Sequence, residues 1–159
     1  MCETIMKLNN DGRIVQIDNA YWSYYIDVNR ARSLEDHKNG KWMHFFNDIT
    51  FADAICRKAV LGGTVAVCKH TSASVADDGC GVICFYLNAD DLEAHRRTLA
   101  FMLENDLIRR TKTGKLYNIG FKLDDQTRAG EYGSMFNAKI KLEDFVDLET
   151  GEFLSLIHI

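Results

Sequence analysis

Proline is absent from the 159 residues, so the loops must turn on glycine, asparagine and aspartate. No apolar run approaches the roughly 20 residues a membrane helix needs, and no membrane-spanning segment is expected. The N-terminal stretch MCETIMKLNN lacks the apolar core of a secretory signal, which points to a cytoplasmic protein. Excess positive charge is also missing. The 19 basic and 23 acidic residues give a net charge of −4, so the whole-domain footprint of a duplex-DNA binder is not there. A local basic groove remains compatible with that total. The chain carries no GxGxxG, no P-loop, no GxSxG and no HExxH. Gly62-Gly63 ends an apolar helical stripe instead of opening a helix, and so is no phosphate cradle. No cofactor is implied.

The five cysteines, Cys2, Cys56, Cys68, Cys80 and Cys84, are odd in number and follow no signal peptide. They read as free thiols in a reducing compartment. Cys80 and Cys84 have three residues between them and no second metal-binding pair, so no metal site is expected.

With 47% hydrophobic and 26% charged residues, the chain has the composition of an ordinary folded domain. Its length suits one domain, taken here as residues 1–153. The last six residues, Leu154 to Ile159, resemble the translated transposon end of a sequencing-library adapter. They are expected to be a scar outside the fold and to indicate an environmental source.

Residues 21–28 alternate, with Trp22, Tyr24, Ile26 and Val28 on one face, which predicts a strand. Lys41–Phe46 predicts a second. Ala52, Ile55, Cys56, Ala59 and Val60 repeat at helical spacing after a Thr50 cap, and Gly62-Gly63 closes that helix. Strands are expected at 64–69 and 81–87. A second helix is expected from about Asp90 to Glu104, with Leu92, Leu99 and Leu103 inward. Leu107–Thr111 and Lys115–Lys122 predict a hairpin about Thr113-Gly114, and Phe136–Glu143 an edge strand. The order β-β-α-β-β-α-β-β-β is that of an α+β domain, an antiparallel sheet with helices on one side.

Candidate site residues cluster at strand ends. Lys69-His70-Thr71-Ser72 combines a cation, a proton carrier and two hydroxyls. Lys122 ends a strand that packs on the core, where burial would lower its pKa. Trp22 and Trp42, on strands expected to be neighbours, could sandwich a flat ring or a methylated cation, although large aromatics are more often core residues. Arg97, on the second helix, could reach a phosphate or lie on a solvated face.

These residues together resemble the family of the basophilic leukaemia expressed protein, whose microbial members are described as phosphothreonine lyase domain proteins. The resemblance rests on Gly40-Lys41-Trp42-Met43 with Phe45, the helix and strand through Lys69, Val82–Tyr86, and FKLDDQTRAGEY at 121–132. The last is similar to a pattern YKTDxxTxxGxY and keeps Lys122, Asp124, Thr127, Gly130 and Tyr132. The likeness covers roughly residues 22–133. It implies a curved antiparallel sheet backed by helices, similar to the cap-binding translation initiation factors. It further implies a phosphorylated ligand in the concave face: a nucleotide, a modified RNA end or a signalling nucleotide. Lys41, Lys69, Lys122 and Arg97 would meet phosphate, Trp22 and Trp42 would stack, and Thr127 and Tyr132 would complete the site. The lyase description implies instead β-elimination on a phosphopeptide, with Lys122 as base and His70 as acid. His70 stands where the family pattern has valine. A protein-interaction module is the third expectation.

Overall fold

The computed structural model describes residues 3–128 and 138–155. Among the described residues eight strands form one sheet: β1 (Thr4–Lys7), β2 (Ile14–Asp18), β3 (Trp22–Asp27), β4 (Asn39–Phe46), β5 (Val67–Thr71), β6 (Gly81–Asn88), β7 (Gly120–Leu123) and β8 (Ile140–Lys141). The spatial order is β1-β2-β3-β5-β6-β4-β7-β8, and every pairing is antiparallel. Among the described residues three α-helices accompany it: α1 (Ile49–Leu61), α2 (Leu92–Glu104) and the short α3 (Asp124–Arg128). The sheet is open at both ends, and the α+β class follows. Among the described residues no helix is long and apolar enough to cross a membrane.

Alternation decides which side chains share a face, because successive residues of a strand point to opposite sides. Gln16, Tyr25, Cys68, Phe85 and Trp42 are opposite one another across five strands and so form one row. That face takes both long helices. The Cys68 thiol lies 3.2 Å from Cys56 of α1, Tyr25 bonds Asp53 of α1, and Phe85 and Trp42 meet Phe101 and His95 of α2. Tyr25, Trp42, Ala52, Cys56, Phe85, Leu99 and Met102 are wholly buried there. The other face carries the rows Ile17–Tyr24–Lys69–Cys84–Met43 and Ile26–Val67–Tyr86–Lys41–Lys122. The two long helices leave it uncovered, and α3 sits at its edge beside β7 and β4.

Several local expectations shift. The α1 cap is Asp48, whose carboxylate accepts from the Thr50 amide at 3.0 Å, so the helix begins at Ile49. Asp53 is drawn away to Arg57 and Tyr25. The α2 cap is Asp91, and Leu92 is exposed while Leu99 is buried. The expected 107–122 hairpin reduces to a single bridge, Arg110 to Leu116, because Leu107, Ile108 and Leu116 drop into the core. Of the expected last strand, 136 and 137 lie outside the described residues and β8 holds only Ile140 and Lys141. Leu154 is tied in: its amide donates to Phe145 and its carbonyl accepts from Arg96.

Candidate functional site

The uncovered face holds a cavity of about 620 Å³. Its lining includes Trp22 from β3, Lys69 from β5, Cys84 and Tyr86 from β6, Lys41 and Met43 from β4, Lys122 from β7 and Thr127 from α3. Ligand cavities of 300–1,000 Å³ are the ordinary size for small molecules. Three lysines from three strands thus converge, and no described lining residue is a carboxylate.

Close approach of β7 to β4 makes this possible. Gly40 has no side chain, and a Cβ there would stand 2.6 Å from the Phe121 ring and 2.8 Å from the Lys122 carbonyl. The missing side chain lets Lys41 lie directly opposite Lys122. Both are buried, each 7% exposed. The Lys41 ammonium donates to Asp124 at 2.8 Å and to the Thr127 hydroxyl at 2.9 Å, which holds α3 over the cavity edge. Asp124 also accepts from Asn39 at 3.0 Å.

Lys69 is surrounded differently. Its ammonium nitrogen lies 3.6 Å from the centre of the Trp22 ring, 5.5 Å from Tyr24 and 5.6 Å from Tyr86. Burial among these rings lowers its pKa, and neighbouring Lys41 adds to the effect. The Cys84 thiol opposite it is pushed up to about 11 by burial and so stays neutral. Tyr86 is raised for the same reason.

The structure places Lys41, Lys69, Lys122, Trp22 and Thr127 around one cavity. Three other candidates are corrected. Trp42 is wholly buried on the helix-covered face, where its indole N–H donates to Nδ1 of His95 at 3.0 Å. Strands β5 and β6 separate it from Trp22, so no two-tryptophan sandwich forms. His70 is 3% exposed on that same face, with Nε2 2.9 Å from the Tyr25 hydroxyl and Nδ1 donating to the Thr71 carbonyl at 2.7 Å. Burial lowers its pKa. It cannot serve as acid to a base at Lys122, since the sheet lies between them. Arg97 is spent on α2, donating to the Thr64 carbonyl at 2.9 Å and lying 3.6 Å from Glu93. Tyr132 lies outside the described residues.

Sequence reasoning missed Tyr86, Met43 and Cys84 as lining residues. Tyr86 and Cys84 sit in a continuous apolar run that shows no alternation, and only pairing with Lys41 and Lys69 reveals their face. Among the described residues no cluster of three or more histidine, cysteine or acidic side chains is placed to hold a metal ion.

Comparison with known proteins found no match of this chain to any family model, curated protein or solved structure.

Proposed function

We propose that the chain binds a small phosphorylated ligand in the cavity on the uncovered sheet face. The ligand class is a nucleotide, a modified RNA end or a signalling nucleotide. The observation that carries this reading is the convergence of Lys41, Lys69 and Lys122 on a mostly apolar cavity with no carboxylate among its described lining residues. Cations gathered in a partly buried site favour an anion among them. A phosphate is such an anion, and it would take charge-assisted hydrogen bonds in a site partly shielded from water. In a chain of net charge −4, such a cavity is a local positive centre that concentrates anions.

Trp22 and Tyr86 give the ligand aromatic walls, and Met43 an adaptable floor. A single indole serves in place of a pair, so the ligand need not be a methylated base. The open antiparallel sheet with its long helices on one face accords with the likeness to the basophilic leukaemia expressed protein family and, through it, to cap-binding factors. The elimination chemistry that this likeness also implies loses its acid, because His70 faces away.

The test is a thermal-shift screen with nucleotides, cyclic and linear dinucleotides, cap analogues and a phosphothreonine peptide. A ligand at 100 times its Kd adds about 2.7 kcal/mol, a shift of several degrees. A shift with one nucleotide class supports the reading. A shift with the phosphopeptide alone, or with nothing, overturns it.

A further inference from the structure

The three cavity lysines are not equivalent. Lys41 is committed to Asp124 and Thr127. The Lys69 ammonium has ring neighbours but no hydrogen bond or ion pair to any described residue. It stands mid-sheet on β5, paired on one side with β3 and on the other with β6, so its backbone is held firmly. The groups around it are Trp22 and Tyr24 from β3, Cys84 and Tyr86 from β6, Lys41 from β4, Lys122 from β7 and Asp124 from α3. The two phenols are neutral near pH 7, the thiol is held protonated, and Asp124 is engaged by Lys41 and Asn39. Among the described residues, the neighbouring cation that disfavours a charge on Lys69 is Lys41.

An amine in apolar walls beside another cation is the arrangement that makes lysine a nucleophile. Contact with the Trp22 face returns part of the ammonium's lost stabilisation, but it places no acceptor to hold the proton. Lys69 also faces the same cavity as the paired Lys41 and Lys122, so a ligand whose phosphate meets that pair puts the rest of its length within the space Lys69 lines.

We propose that Lys69 is a carbonyl-reactive amine and that the cavity takes a phosphorylated aldehyde or ketone, which condenses with it as an imine. The inference rests on the phosphate-binding reading of the same cavity. In the step, the Nζ lone pair forms a bond to the carbonyl carbon. The carbonyl oxygen leaves as water with the two amine protons, relayed through solvent, and a C=N bond remains. No oxidant or cofactor is needed. Trp22 and Tyr86 would shield the imine from hydrolysis.

The experiment incubates the full chain with glyceraldehyde 3-phosphate, reduces with borohydride and maps the adduct by peptide mass spectrometry. Hydride addition to the imine carbon fixes the label as a secondary amine. Parallel samples use unphosphorylated glyceraldehyde, Lys69→Arg, and a separate thermal shift with AMP. We expect labelling of Lys69 at least tenfold above the exposed Lys112 and Lys115, loss of that label in Lys69→Arg, and weaker labelling without the phosphate. The apparent pKa of labelling at Lys69 should lie below the ordinary lysine value of 10.5. Label spread over exposed lysines with no enrichment at Lys69 overturns the proposal, and an AMP shift in that same protein leaves the binding reading standing. Equal enrichment with both aldehydes keeps the amine but removes the phosphate from its ligand.

Discussion

The Lys69 ammonium nitrogen lies 3.6 Å from the centre of the Trp22 ring, across the β3–β5 pair. Lys69 is opposite Tyr24 and therefore diagonal to Trp22, within reach of a long side chain. A ligand ring that stacks on Trp22 must displace this ammonium or pack around it. Replacing Trp22 by leucine should leave the fold intact, because Trp22 is only half-buried on the uncovered face. It should weaken nucleotide binding by roughly 5- to 150-fold, the range of about 1–3 kcal/mol per stacked base. Titration calorimetry reads the change, and unaltered affinity would remove Trp22 from the site.

Trp42→Phe should do the reverse. The substitution leaves Nδ1 of His95 without its donor in the core, a loss of about 1–3 kcal/mol. The melting temperature should drop by several degrees while ligand affinity measured below the transition holds. Lost affinity with unchanged stability would place Trp42 back in the site.

Lys41→Gln and Lys122→Gln remove charges that stand opposite one another in register. Each should weaken binding of a phosphorylated ligand roughly ten- to a hundredfold, as expected when a charged hydrogen bond of about 1.5–3 kcal/mol is lost. Affinity should also fall with added salt. Binding that is indifferent to both changes, measured by equilibrium dialysis, would contradict the phosphate role.

Stability should decline on the acid side. His95 accepts from Trp42 at Nδ1 and donates from Nε2 to the Ala89 carbonyl at 2.8 Å, so the fold holds it neutral. Burial lowers its pKa, as it does for His44 and His70. The unfolded chain protonates all three near their ordinary value of 6.5. Below that pH the unfolded state therefore carries more protons, and stability is lost as pH falls. Each such histidine removes at most about 1.4 kcal/mol per pH unit. Melting curves from pH 7.5 to 5.5 should show a falling transition. A rise over that window would contradict the neutral assignments.

Gly40→Ala tests how the lysine pair is built. The added methyl meets the Phe121 ring and the Lys122 carbonyl at distances that require movement. The cost should be roughly 1–3 kcal/mol. Because β7 must retreat, phosphate affinity should fall as well. A stable variant with full affinity would show that Lys122 is placed by other means.

The long periodic elements were legible in the sequence. Trp22, Tyr24 and Ile26 share a face as their alternation predicts, and the α1 stripe is buried as its spacing predicts. Strands β1 and β2 were not legible. Every residue of β1 is exposed, and Ile14, Val15 and Gln16 of β2 are all buried, so neither alternates. The site was half legible. Lys41 and Trp42 are adjacent on one strand, as are Lys69 and His70, and period two forbids both members of a pair from facing one cavity. Hydrophobic neighbours on either side hide which member faces out. The decision came from α2 and α1, whose His95 and Asp53 reach Trp42 and Tyr25 beside His70.

The most direct measurement is a ¹⁵N-resolved NMR titration of the two indole N–H signals with the nucleotide that gives the largest thermal shift. Trp22 lines the cavity and Trp42 is sealed against His95. The account predicts that the Trp22 signal moves in a saturable way, that the Trp42 signal stays in place, and that Lys122→Gln shifts the curve to higher concentration. Movement of Trp42 alone, or saturable binding that leaves Trp22 untouched, would contradict it.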